Sequence, residues 1–430
     1  MLWVATVASA GMVFLTQIIL ARQLGPEAYG LFASSLAIVT MIAPLAGFGL
    51  SQYRLKAYGS EGWRAERWIR PSLRFSLITT VLAMVIVLVW AFLFTPDRST
   101  RNTLIFLVPI IPALFAVDLV GSKLRLEERY ASLSWWQILV AVTRFPLALA
   151  LLVLPALGVK FVTIGYCVAA LLVLGLAIPQ LQKLVRGQID LLGHGPREIE
   201  LSGDPLASPS MLQLWAQAWP FGLAAILYPI FFQVSTVMLK YMEGDAAAGK
   251  YGLAMQVMMA VYLIPTTIYQ KFLLSKLNRW ASHDKQKFMA VYVRGAWYMP
   301  ILGLVIALAI WACARTLVPI IFGQSYAQVS TILGILALCI PIRFLSTAVG
   351  SVLLTGGQMY FRVIAMGLAA LVTIGLNLFF ISRYDEIGAA FSTLGGELIL
   401  LLLISIGARR TISADFSPLK RSGISGDSDS

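Results

Sequence analysis

Apolar and polar positions alternate along this chain in blocks of about twenty residues, not in the short rhythm of a half-buried strand or a surface helix. Twelve apolar blocks fall near 2–22, 29–50, 75–95, 103–121, 135–157, 162–182, 215–239, 251–274, 295–314, 328–348, 363–382 and 388–408. Each is close to the ~20 residues a helix needs to cross the hydrocarbon core. The pattern predicts an all-α polytopic membrane protein, because a helix closes its backbone hydrogen bonds within one segment. A polar stretch, Lys183–Leu214, rich in Gly, Pro, Ser and Asp, parts the blocks six and six. The expected organisation is therefore a six-helix bundle over 1–182, a cytoplasmic linker over 183–214, a second six-helix bundle over 215–408 and a disordered cytoplasmic tail over 409–430.

The first two blocks are joined by Ala21-Arg22-Gln23-Leu24-Gly25-Pro26-Glu27-Ala28-Tyr29-Gly30. Gly25-Pro26 ends one helix and starts the next, since proline is tolerated in a first helical turn and not in a helix interior. The same elbow returns as Gly244-Asp245 through Gly249-Lys250-Tyr251-Gly252, an offset of 222 between Tyr29 and Tyr251. At that offset Arg54 falls on Lys276, a cation beyond each second block. Helix, elbow, helix and trailing cation recur together, which predicts two matched halves, a transporter arrangement with the substrate route between them.

Charge then orients the blocks. With the N-terminus inside, the even connections and the tail hold 22 of the Lys and Arg residues and the odd connections 8, so both termini are expected to be cytoplasmic. This loop-by-loop asymmetry also assigns the net charge of +13 to membrane topology and not to a nucleic-acid groove. Only 12% of residues are charged, about half the ~25% usual for soluble domains. Cys167, Cys313 and Cys339 lie within apolar blocks without paired spacing, and His194 and His283 lie in different loops, so neither a disulfide nor a metal centre is expected. The first block lacks a basic leader and a small-residue cleavage site and is read as a retained span. Tryptophans such as Trp90, Trp135, Trp215, Trp297 and Trp311 near block ends read as interfacial anchors.

Ionisable groups inside the blocks are the candidates for function, because such groups are costly there. They are Asp118, Arg144, Lys271, Arg343 and Glu397. Arg144 lies about nine residues into its block, ~14 Å deep, with Phe145-Pro146 loosening the helix beside it. With Arg22 and Arg54 the set holds five cations and two anions, a surplus suited to an anionic ligand. Arg22, Arg54, Arg144, Lys271 and Arg343 are therefore expected to line a cationic cavity. Prolines including Pro109, Pro112, Pro146, Pro220, Pro229, Pro265, Pro300 and Pro341 interrupt blocks in both halves, as bending helices would need. Gln17, Gln233, Gln256 and Gln270 add uncharged hydrogen-bonding groups within blocks. No catalytic constellation is present: no histidine within a block, no nucleophile elbow and no nucleotide loop.

The motif Ala21-Arg22-x-Leu24-Gly25-Pro26-Glu27-x-Tyr29-Gly30 resembles the opening of bacterial polysaccharide-unit flippases, members of the multidrug/oligosaccharidyl-lipid/polysaccharide (MOP) exporter superfamily. Gly244-Asp245 through Gly249-x-Tyr251, Phe322-Gly323-x-x-Tyr326 and Gly388-Ala389-Ala390-Phe391-Ser392-Thr393 leading to Glu397 continue the likeness. Two departures stand out: the basic segment that usually precedes the first span is almost absent, and a seventh-span position often acidic in the family is Ser235. The resemblance implies a MOP/MATE-like fold and a non-enzymatic transporter of the bacterial inner membrane. Its expected cargo is an undecaprenyl-pyrophosphate-linked oligosaccharide, moved to the outer leaflet by alternating access for lipopolysaccharide or exopolysaccharide biosynthesis. No cofactor is expected beyond a coupling H⁺ or Na⁺, for which Asp118 and Glu397 are the candidate acids. Expected partners are the lipid bilayer and a polysaccharide polymerase or other glycan-assembly proteins, with no nucleic acid.

Two other functions compete. A cation-coupled multidrug exporter of the same fold would place acids in the cavity to attract cationic drugs, and the first two blocks contain none. A polysaccharide polymerase or ligase would need a large outward loop with reactive residues, and the outward loops here are short.

Overall fold

Residues 2–191, 208–273, 276–277, 279–280, 284–355 and 359–416 are described by a computed structural model, and the described chain is helical throughout. The first half comprises α1 (Leu2–Ile42), α2 (Leu50–Glu61), α3 (Ile69–Leu93), α4 (Arg98–Leu107), α5 (Ile110–Leu126), α6 (Tyr130–Val153) and α7 (Gly158–Val185). The second half comprises α8 (Met211–Met242), α9 (Asp245–Thr266), α10 (Lys285–Phe322), α11 (Val329–Leu336), α12 (Cys339–Thr355) and α13 (Met359–Phe416). Nine apolar runs among the described residues are long enough to cross a membrane. The first, Val4–Leu93, holds both arms of α1 and α3, and the last, Tyr360–Ser413, holds two arms of α13, which restores the twelve expected crossings.

Bends set these crossings apart. Gly25 at φ 75° turns α1 at the predicted elbow, and Gly244 at φ 97° does the same between α8 and α9, both in the left-handed region that glycine enters without a Cβ penalty. Asp385 at φ 49° reverses α13 without that relief. The duplication runs deeper than the elbows. α5 and α12 are each 17 residues long, each follows a break after a short helix, and each carries proline at its third position, Pro112 and Pro341. The second span is also broken at matching places: a 3₁₀ turn over Ala43–Leu45 in one half and a turn of π-helix over Thr267–Leu273 in the other.

Two expectations change. The block read as 29–50 ends sooner, at Ile42, and its last residues form the irregular Gly47-Phe48-Gly49 step, all at positive φ, leading into α2. The last helix continues to Phe416, past the predicted start of the tail, because nothing in Ala408–Asp415 breaks a helix; the rest of the tail and residues 192–207 of the linker lie outside the described residues.

The main apolar core is continuous across both halves. Its join is α1 laid along α9 and α8, so the two elbow helices pack on each other instead of each remaining within its own bundle. Gly30 and Gly249 permit this: a Cβ on Gly30 would overlap the Asp245 carbonyl, and one on Gly249 would overlap the Pro26 carbonyl. Two backbones in direct contact are the membrane counterpart of small-residue helix packing.

Candidate functional site

At the end of the bundle that carries the paired elbows, the two halves are locked by polar contacts. The Tyr326 hydroxyl donates to the Ala21 carbonyl at 3.0 Å, across the halves. Trp90 Nε1 donates to the Tyr241 hydroxyl at 2.6 Å, and Lys240 Nζ donates to Thr100 Oγ1 at 2.7 Å while also pairing with Asp245. Asp97 caps α4 and takes the Thr100 hydroxyl and the amides of Ser99 and Thr100. The Thr100 hydroxyl, with those amides, holds the Asp97 carboxyl below its ordinary range. Lys250 pairs with Glu386 at 3.2 Å and also reaches Gln328. Glu243 meets Asp385 and Glu386; partial burial and the facing carboxyl of Asp385 raise it above the usual range.

The opposite end is joined as well. Tyr53 on α2 donates to Gln217 Oε1 on α8 at 2.7 Å, Phe48 rests on Gly222, and Lys56 lies 5.8 Å from the Phe221 ring. Around them sits a second apolar cluster in which Leu50, Tyr53 and Ala57 of one half meet Leu214 and Ala218 of the other. Ile189 and Leu191, at the start of the inter-half connection, are buried in the same cluster.

The five cations assigned to one cavity are not brought together. Arg22 sits at the elbow end and donates to the carbonyls of Ile320 and Ile321, 3.2 and 3.5 Å away, near the C-terminal end of α10 where a cation complements the helix dipole. Arg54 is 5% exposed at the opposite end and turns into its own half, giving Nη2 to Ser72 Oγ at 3.2 Å. Its Nη1 has no hydrogen-bond partner among the described residues. Arg144 packs its guanidinium 4.7 Å from the Tyr166 ring, which itself stands edge-on to Phe32 of α1. A void of about 10 Å³, room for one water, lies beside Arg144, Thr143, Leu114 and Val173. Arg343 lies in the second half, 4.5 Å from the Phe232 ring and 5.6 Å from that of Tyr262. The side chain of Lys271 lies outside the described residues. Each described cation has found a ring, a carbonyl or a hydroxyl locally, and like charges in a medium of low dielectric separate unless an anion gathers them.

The acids divide similarly. Glu397 is fully buried and its Oε2 stands 3.4 Å from Arg343 Nη1, while Oε1 has no hydrogen-bond partner among the described residues. Asp118 is exposed on α5 and makes no ion pair among the described residues, so the two candidate coupling acids occupy unlike surroundings. Next to Glu397 runs a neutral network: Tyr251 and Ser235 both meet Thr393, and Asn377 donates to Ser235 Oγ at 2.9 Å.

Sequence reasoning missed two features. Lys123, counted among the cytoplasmic loop cations, is 1% exposed and pairs with Glu127 at 2.7 Å, with Gln180 as a further partner. The four-residue spacing of Lys123 and Glu127 was the available signal. Tyr228 was also passed over and Arg362 was counted only as a loop cation, although both stand within electrostatic reach of Arg343.

Comparison with known proteins supplies the frame for this geometry. The sequence profile described as "Polysaccharide biosynthesis protein" matches residues 1–274. No curated protein matches in sequence. Among solved structures, an inward-facing multidrug resistance MATE transporter of the MOP superfamily superposes with a TM-score of 0.71 at 15% identity, covering 95% of each chain. The lipid II flippase MurJ, in an inward closed conformation, gives 0.65 at 13% identity over 95% of this chain and 87% of its own. A MOP transporter from Pyrococcus furiosus, described as having a binding pocket of reverse polarity, gives 0.59 at 15% identity over 96% of both. These likenesses establish the MOP fold.

Proposed function

Because this chain belongs to the polysaccharide biosynthesis protein family, and folds as MOP transporters do, we propose that it is a flippase for a lipid-linked oligosaccharide with a pyrophosphate headgroup. The cargo would be an undecaprenyl-pyrophosphate-linked glycan carried from the cytoplasmic to the outer leaflet of a bacterial inner membrane. Such a headgroup cannot cross ~30 Å of hydrocarbon unaided. The observation that carries the reading is the sign of the interior charge. Among the described residues Arg144 and Arg343 lie within the spans and a buried Arg54 lies just beyond one, set against Glu397 as the one fully buried acid, Lys123 and Glu127 cancelling each other. A lipid-facing guanidinium at mid-depth costs about 2.5–3.5 kcal/mol on insertion scales, and charge-assisted bonds to phosphate oxygens would offset that cost.

Transport by alternating access requires the outer seal and the inner join to open in turn. The inner arm of α1 suits the lipid tail: Val4, Val7, Val13 and Leu15 are exposed, while Thr6 and Ser9 hold the other side of the helix to Gln137 of α6. Glu397, with a free carboxylate oxygen beside Arg343, is the acid best placed to couple transport to a proton or sodium ion. A multidrug exporter of this fold is the competing reading, favoured only by the fold likeness.

The test is reconstitution. Proteoliposomes containing the purified protein should translocate a short polyprenyl-pyrophosphate glycan, and Arg144→Gln should abolish translocation while the protein elutes and melts as the parent does. Unchanged translocation in that variant removes Arg144 from the route; export of a cationic dye in place of the glycolipid replaces the flippase reading with the exporter.

A further inference from the structure

The second half carries a second guanidinium beside Arg343. Arg362 lies in the first turn of α13, at the cytoplasmic end, where the chain runs alongside α8: Tyr360 stacks on Trp219 with ring centroids 5.4 Å apart, and Gly367 faces Leu227. Arg362 is therefore held against the stretch of α8 that ends at Tyr228. Tyr228 is 43% exposed and packs its ring 4.9 Å from Phe232, the same ring on which Arg343 rests. Tyr228 stands within electrostatic reach of both Arg343 and Arg362. A line of side chains thus runs from the inner surface into the second half, in the order Arg362, Tyr228, Arg343, Glu397. Glu397 answers one of the two cations; Arg362 makes no ion pair among the described residues.

Resting on the flippase reading, we infer that Arg362 is a substrate-binding residue that selects the pyrophosphate: it takes one phosphoryl group at headgroup depth while Tyr228 and Arg343 take the other. The argument is one of charge and depth. Arg343 and Arg362 stand within electrostatic reach of each other and, among the described residues, only Arg343 meets a carboxylate; this leaves a surplus positive charge in a partly dehydrated space, and an anion of more than one charge is the ligand that gathers both. Arginine forks match phosphate oxygens in pairs, which a lysine ammonium does not. A pyrophosphate still anchored in the inner leaflet lies at the level of the first turn of α13, so it meets Arg362 without leaving the headgroup plane. A phosphomonoester, with one phosphoryl group, can occupy only one end of the line.

The probes are farnesyl pyrophosphate, farnesyl monophosphate and farnesol, titrated into the full-length protein in lipid nanodiscs. Wild type should prefer the pyrophosphate over the monophosphate by about tenfold or more. Arg362→Gln should lose most of that preference while holding the monophosphate within about threefold, and Arg362→Lys, which keeps the charge without the fork, should fall between them. An unchanged preference in both variants overturns the assignment of Arg362, as does an equal loss for both ligands, which would mark a general electrostatic or folding effect. Wild type binding farnesyl pyrophosphate no better than farnesol overturns the flippase reading itself.

Discussion

The crossing of the two elbows makes a quantitative prediction for Gly30→Ala. The added Cβ meets the Asp245 carbonyl, which is backbone and cannot swing aside as a side chain would. Overpacking of this kind costs typically about 1–3 kcal/mol. In its own helix alanine is better than glycine by about 1 kcal/mol, but α1 is helical at this position whether the seal is open or closed, so that gain does not bias the equilibrium. The clash exists only while α1 and α9 touch. The substitution therefore raises the outward-closed state alone, and 1–3 kcal/mol of bias multiplies the outward-open population by about 5–150. A reporter cysteine at Ala248, fully buried beside the crossing, reads this directly once Cys167, Cys313 and Cys339 are replaced by serine or alanine. With a membrane-impermeant maleimide supplied from outside, and opening rare, the labelling rate follows the open population and should rise by the same factor. A rate within twofold of the Gly30 parent, in protein that elutes normally, would refute the view that this contact is the outer seal.

Three further outcomes follow from other contacts. Glu397→Gln leaves Arg343 buried without its acid and should destabilise the second half by about 3–5 kcal/mol, and adding Arg343→Gln should restore part of the loss; a double variant as unstable as the sum of the singles would show the two residues uncoupled. Glu243, whose carboxyl is raised by partial burial and by Asp385, contributes to the join of α8 with the α13 elbow most fully below its unfolded value, and that contribution is lost as pH rises through the raised one. Amide exchange over residues 383–387, corrected for the intrinsic rate, should accelerate from mildly acidic to neutral pH, and Glu243→Gln should remove the dependence. Asp97 is shifted the other way, so the Lys240–Thr100 bridge it supports should hold above the unfolded Asp value and weaken as pH falls through the lowered one, seen as faster amide exchange over residues 98–103, corrected for the intrinsic rate, only in strong acid.

The elbows were legible because their chemistry is local: a glycine at positive φ followed by a residue that begins a helix fixes the turn wherever it occurs. The twelve crossings were legible for the same kind of reason, length against membrane thickness. The direction of each side chain was not. In a soluble helix the apolar stripe marks the buried face, but here α3 presents Leu77, Val81 and Val85 outward and Ala83 and Val87 inward, all apolar, so no stripe distinguishes protein from lipid. That is why Arg54, Arg144 and Arg343 could be located by depth while the neighbours that each one faces could not. Arg22 was misplaced for another reason, since its partners are the main-chain carbonyls of Ile320 and Ile321, and a carbonyl leaves no trace in the residue letters.

The halves repeat in backbone and differ in charge, and the difference fits a transporter better than the repeat does. Both keep a guanidinium on an aromatic face, Arg144 on Tyr166 and Arg343 on Phe232. Only the second sets a carboxylate against it, Glu397, and beside that acid lie the hydroxyls and amide of Ser235, Thr393, Tyr251 and Asn377. A proton or small cation bound at Glu397 would release Arg343 from its partner, whereas Arg144 has no such partner to be released from. The first half therefore offers a constant attraction for an anion and the second an adjustable one. If Glu397 is neutralised while the cargo's pyrophosphate holds Arg343, and the cargo leaves when Glu397 reclaims it, the grip of the second half on the headgroup changes with the charge of one acid while that of Arg144 does not. A coupling of about 3 kcal/mol would change headgroup affinity roughly 150-fold, so one acid in one half would suffice as the switch.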